Sequence, residues 1–139
     1  MIVLDTNVLS ELTRQVPDPA VLAWLDGLPG EDVGTTAITA AELLYGVSRL
    51  AEGRRKAALI DAVYGLLRDD LAGRVEPFDE DAAACYADLV AERERHGRSI
   101  SMADAQIAAI CEARGHSLAT RNTRDFLDAP ITLINPWEQ

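Results

Sequence analysis

The chain has 139 residues, 48% hydrophobic and 26% charged, the balance of one globular domain able to bury a core without disulfides or a structural metal. Its 13 basic and 23 acidic residues give a net charge of −10, which excludes a general binder of nucleic-acid phosphates, and its aromatic residues are too scattered for a base-stacking platform. No apolar run reaches the roughly 18 residues of a membrane helix, and no basic leader precedes Ile2-Val3-Leu4, so a soluble, cytoplasmic protein with no membrane contact is expected.

Met1 to Asp5 reads as a short buried strand ending in an acid, and Asn7 as the cap of a helix through Val8, Leu9 and Leu12. Asp18 and Pro19 open a second helix, which Pro29-Gly30 closes near Leu28. Asp32 to Ala37 is strand-like. Thr39-Ala-Ala-Glu42 then has capping-box spacing before Leu43, Leu44 and Val47. A long helix is expected from Gly53 to about Leu71, with Ala58, Leu59, Ala62, Val63 and Leu66 at helical spacing. Arg74 to Phe78 is a short strand, and Asp79 caps a helix to about Arg95. Ser101-Met-Ala-Asp104 is a second capping-box spacing, opening a helix that ends at Gly115. Two last strands, Ser117 to Thr120 and Ile131 to Ile134, flank a helical turn near Asp125 to Leu127. Strands alternating with helices predict an α/β fold with a central parallel sheet covered by helices on both faces.

Ligands of open parallel sheets bind beyond the carboxyl ends of the strands, which is where Asp5 stands. Glu42, Asp104, Asn122 and Asp125 fall in the first turns of elements that follow, so all five side chains are expected on one edge. Acids in such positions also serve as plain helix caps, and that reading stands beside the functional one for Glu42, Asp104, Asn122 and Asp125. Asp5 fits a cap less well, because Asn7 is the better capping residue. Converging carboxylates repel one another unless protonated or bound to cations, and hard oxygen ligands suit Mg²⁺ or Mn²⁺.

Other chemistry finds little support. There is no phosphate-cradling glycine loop and no serine in a G-x-S-x-G setting. Cys85 and Cys111 lack partners at metal-ligand spacing and read as buried thiols, and His96 and His116 read as helix-end residues. Twelve of the thirteen cations are arginines. Arg54, Arg55 and Lys56 form one basic group, and Arg93, Arg95 and Arg98 another; both read as solvated helix surface or as contacts for a phosphodiester backbone. A phosphoacceptor receiver-like domain would need a strand-end lysine, and Lys56 is expected mid-helix.

Four segments, in order, carry a resemblance to a known family: Ile2-Val3-Leu4-Asp5-Thr6-Asn7-Val8-Leu9-Ser10, Ala41-Glu42-Leu43-Leu44-Tyr45-Gly46-Val47, Ala103-Asp104-Ala105-Gln106-Ile107-Ala108-Ala109 and Leu118-Ala119-Thr120-Arg121-Asn122-Thr123-Arg124-Asp125-Phe126. With the terminal Asn135-Pro136-Trp137, they resemble PIN-domain ribonucleases, specifically VapC toxins of the FitB-like subgroup. The resemblance implies one PIN domain over residues 1–139, a homodimer, and a VapB-like antitoxin whose tail occupies the active-site groove and whose dimer binds operator DNA. It also implies an endoribonuclease in which Asp5 and Asp104 are metal ligands for Mg²⁺ or Mn²⁺ and Glu42 is a third acid. Asp125 would supply the fourth charge and Asn122 a neutral ligand or hydrogen bond, with Thr6 and Thr120 holding the carboxylates in place. Water would attack the RNA phosphodiester in line, leaving a 5′-phosphate and a 3′-hydroxyl. A PIN-fold regulator that binds its antitoxin with weak or no nuclease activity is the alternative.

Overall fold

The strands of this protein are two to four residues long, and the three longest are almost wholly buried, which requires a sheet covered on both faces. The computed structural model, which describes residues 1–139, shows that arrangement. Five parallel strands, β1 (Ile2–Leu4), β2 (Val33–Thr36), β3 (Val75–Glu76), β4 (Ser117–Ala119) and β5 (Leu133–Ile134), lie in the order β3-β2-β1-β4-β5. The register aligns Val3 with Gly34 on one side and with Leu118 on the other. Alternation along the strands divides the core in two. Leu4 and Ala119 face a cluster with Val8, Leu9, Val21, Leu43, Val47 and Val63, whereas Val3 and Leu118 face Leu89, Ile107, Ala108, Cys111 and Phe126.

The first cluster is roofed by α1 (Thr6–Leu12), α2 (Pro19–Asp26), α3 (Ala37–Ser48) and α4 (Arg54–Tyr64), the second by α5 (Glu80–Arg95) and α6 (Met102–Arg114). Several helix ends follow the local signals. The Asp18, Asp79 and Ser101 side chains accept from Ala20, Ala82 and Asp104 amides, and Gly115 closes α6 in the left-handed region at φ 68°. α4 stops earlier than its apolar periodicity suggests. Residues 65–70 widen into a π-helical turn, Leu71 N–H donating to the Leu66 carbonyl, and Leu66, Leu67 and Leu71 stay packed on the core.

Two caps differ from expectation. Asp5, and not Asn7, caps α1, its Oδ1 accepting from the Thr6 amide at 2.8 Å. α3 starts at Ala37 under Thr36, whose hydroxyl accepts from the Thr39 amide at 3.0 Å. Thr39 is therefore inside the helix, and Glu42 stands in its second turn and closes no capping box. In both cases strand runs into helix with no loop between them, so the cap is the strand's last residue, Thr36, or the one after it, Asp5, where the chain is still extended.

Other expectations are also refined. Cys111 is fully buried, which pushes its thiol up to about 12, whereas Cys85 is only half-buried. Lys56 lies in the first turn of α4, not mid-helix, and its ammonium donates to the Ser48 carbonyl and pairs with Glu52. No helix is long and apolar enough to cross a membrane.

Candidate active site

The strand order reverses between β1 and β4, with β2 and β3 on one side of β1 and β4 and β5 on the other. Loops leaving the carboxyl ends of β1 and β4 diverge there and open a crevice. Asp5 follows β1 and Thr120 follows β4, and the two side chains meet across it. The Thr120 hydroxyl donates to Asp5 Oδ2 at 2.8 Å and accepts from the Asn7 side-chain amide at 3.2 Å and the Asn122 backbone amide at 3.1 Å. Asn7 completes the bridge by accepting from the Arg121 amide at 3.0 Å. Every proton and lone pair of the Thr120 hydroxyl is thus committed, and it fixes one carboxylate oxygen of Asp5.

Glu42 reaches the same edge from α3, its Oε1 accepting from the Thr6 hydroxyl at 2.7 Å. Asp104 comes from the first turn of α6, half-buried, with its amide capped by Ser101. Asn122 and Asp125 come from the turn after β4, where both are exposed. Asn122 occupies the capping position of that turn, but its side chain makes no capping bond.

The electrostatics ties these acids together. Asp5 is only 4% exposed, and burial pushes its carboxyl up to about 6, opposed by the Thr120 hydroxyl and Thr6 amide and reinforced by the charges of Asp104 and Glu42. Asp104 is raised by burial and by the charges of Asp125 and Glu42, against the Ser101 hydrogen bond. None of Asp5, Glu42, Asp104 and Asp125 has an ion-pair partner, although the protein forms eight such contacts elsewhere. A buried carboxylate facing like charges lacks positive charge, and an all-oxygen donor set suits a hard divalent cation. No three His, Cys, Asp or Glu side chains are arranged to enclose a metal ion. One or two carboxylates with retained water is the way Mg²⁺ is commonly held, so this donor set fits such an ion without a closed cage.

The basic groups separate. Arg93 is buried at 7% exposure, unlike solvated helix surface, and its guanidinium donates to the carbonyls of Asp125 at 3.1 Å and Leu127 at 2.6 Å. It clamps the turn that carries Asn122 and Asp125. Nothing in the Glu92-Arg93-Glu94-Arg95 run distinguishes it from its exposed neighbours, so only the fold reveals this role. Arg95 pairs with Glu92 and Arg98 with Asp128. The Asn7 bridge was also not anticipated, although its position two residues after Asp5 is the available signal. His96 caps α5 and His116 faces Glu76, both away from the acids. A cavity of about 1010 Å³ between the end of α1 and the start of α4 is lined by none of the five acidic-edge residues.

The chain is similar to known proteins over nearly its whole length. The PIN domain family matches residues 2–131. The chain is 47% identical to VapC ribonuclease Y4jK of Sinorhizobium fredii and 44% identical to toxin FitB of Neisseria gonorrhoeae, each alignment covering 99% of both chains. A solved structure of FitAB bound to an IR36 DNA fragment superimposes with a TM-score of 0.92 at 42% identity, over 100% of this chain and 97% of that one.

Proposed function

The chain belongs to the PIN-domain ribonuclease family, among the VapC and FitB toxins of toxin–antitoxin systems, and from that premise we propose that it is a metal-dependent endoribonuclease whose acidic edge cuts RNA. The observation that carries the reading is Asp5: a carboxylate 4% exposed at the strand-order reversal, near the charges of Asp104 and Glu42 and paired with no basic side chain. Asp5 and Asp104 would hold Mg²⁺ or Mn²⁺. A bound divalent ion supplies Lewis acidity at the scissile phosphate and makes water a stronger nucleophile near neutral pH.

The chain's own residues do the rest. Thr120 and the Thr6 amide hold Asp5 in one orientation, and the Thr6 hydroxyl aims Glu42 at the same crevice, where its carboxylate can accept a proton from attacking water. Asn122 offers a neutral amide and Asp125 a further carboxylate from the turn that Arg93 holds. Water oxygen bonds to phosphorus as the bond to O3′ breaks, and O3′ takes up a proton, leaving 5′-phosphate and 3′-hydroxyl ends.

The partners follow from the family. The assembly would be a homodimer restrained by a VapB-like antitoxin, which contacts operator DNA, and its RNA substrate places it in the cytoplasm. The FitAB structure on DNA supports this reading of the partners. The alternative is a PIN-fold regulator that binds its antitoxin with weak or no nuclease activity. One experiment separates the two: antitoxin-free protein is incubated with total RNA and Mn²⁺, beside an EDTA control and the Asp5→Asn and Asp104→Asn variants. Cleavage abolished by EDTA and by both substitutions is expected. Cleavage that survives the substitutions refutes the site, and inert wild-type protein supports the regulator.

A further inference from the structure

We infer that the cleft beside the acids is a subsite for the RNA phosphate next to the scissile one, with Arg124 as its contact residue; this rests on the endoribonuclease reading above. The cleft, about 550 Å³, lies between residues 97–101 and the turn Thr123–Phe126. Asp104 and Asp125 share it with Arg98, Arg124 and Ser99, and Ile100 is its one hydrophobic residue. Its volume falls in the range of ligand sites, but such sites are mostly apolar, and a polar cleft opening on the acids suits a charged backbone better than a small molecule.

The disposition of the cations singles out Arg124. Most of the basic residues are engaged internally: Arg93 by two carbonyls, Arg98 by Asp128, Arg114 by Glu76 and Asp79, and Arg121 by stacking on Trp137 with its guanidinium carbon 4.7 Å from the ring centroid. Arg54, Arg55 and Arg124 alone make no ion pair, side-chain hydrogen bond or aromatic stack. Arg54 and Arg55 line the distant groove between α1 and α4, so Arg124 is the uncommitted cation that shares a cleft with the acids.

The backbone around Arg124, in contrast, is pinned. Asp125 N–H donates to the Asn122 carbonyl, Leu127 N–H to the Arg124 carbonyl, and Arg93 holds the Asp125 and Leu127 carbonyls. The Arg98–Asp128 pair ties the opposite wall to the same turn, through a residue held at φ 72°. A free, planar guanidinium on a fixed turn can present its fork of donors to phosphate oxygens without the loop having to be ordered first. In a protein of net charge −10 it also supplies local attraction where the acids would repel an RNA strand.

The test compares cleavage of bulk tRNA and total RNA with Mn²⁺ by wild type, Arg124→Gln, Arg124→Lys and Arg54→Gln, followed by binding of bulk tRNA to the Asp104→Asn protein, with and without Arg124→Gln, over a salt series. Arg124→Gln should raise the apparent KM about tenfold with kcat nearly unchanged, the signature of a lost charge-assisted contact made equally in the ground and transition states. The slope of log affinity against log salt should fall by about 0.7, one phosphate contact on a single strand. Arg124→Lys should recover most of the KM, Arg54→Gln should behave as wild type, and melting temperatures should not change because the Arg124 side chain makes no hydrogen bond, ion pair or aromatic stack. Wild-type KM and salt slope in Arg124→Gln, or a fall in kcat alone, overturns the subsite while leaving the nuclease reading intact. Wild-type protein inert on both RNAs overturns the nuclease reading, and the subsite with it.

Discussion

Replacing Asp5 by asparagine should stabilise the metal-free protein near neutral pH. The carboxyl sits at about 6 in the folded chain against 3.8 for the ordinary side chain, first because it is buried and then because Asp104 and Glu42 repel its charge. At roughly 1.4 kcal/mol per pH unit, holding it ionised in the fold costs about 3 kcal/mol above pH 6. The sign follows from the proton count. The native state holds this proton more tightly, so the stability it contributes is complete below pH 3.8 and is lost as pH rises through about 6. Asparagine removes the charge and keeps an acceptor for the Thr6 amide, but its amino group replaces the oxygen that accepts from Thr120 and Asn7. Those altered bonds cost about 1–2 kcal/mol, leaving a net gain of about 1–2 kcal/mol, or roughly 4–8 °C in melting temperature. Far-UV circular dichroism melts in EDTA across a pH series would measure it. The gain should shrink as pH falls below about 6 and reverse at about pH 5, where the wild-type carboxyl is largely protonated. A variant less stable than wild type near pH 7.5, or a difference that ignores pH, would show that Asp5 is simply a helix cap.

Three further outcomes follow from the same structure. Asp104→Asn should also stabilise the metal-free protein and abolish the rise in melting temperature on adding Mn²⁺, since Asp104 is raised by burial and by Asp125 and Glu42; metal-free destabilisation would mark it as a cap only. Arg93→Met should cost about 2 kcal/mol in urea unfolding and speed amide exchange in residues 122–128, because two carbonyls lose a buried cationic donor; unaltered exchange there would remove Arg93 from the clamp. Gly34→Ala should destabilise by about 1–3 kcal/mol, as a Cβ would stand 2.6 Å from the Arg74 carbonyl and 2.7 Å from Met1 Cε, and a melting temperature equal to wild type would show that β2 and β3 can part at no cost.

How much was legible in the sequence depended on the range of the interaction. Local chemistry set the helix boundaries at Asp18-Pro19, Asp79, Ser101 and Gly115, since a cap or left-handed glycine acts within a few residues of itself. Alternating strand and helix patterns likewise gave the parallel α/β class, and four ordered segments gave the PIN resemblance. The cap at Asp5 and the start of α3 at Ala37 were misplaced because strand and helix abut there, and the sheet decides where extended chain ends. Strand order, and with it the crevice between β1 and β4, was beyond local reading. So was the burial of Arg93 in a run of charges that otherwise faces water, whereas the Thr120 bond to Asp5, 115 residues apart, was expected only through the family resemblance. Residue types and their spacing carry propensity and periodicity. Whether a carboxylate is a solvated cap or an uncompensated charge depends on which distant segments exclude water from it, and only the packed chain determines that.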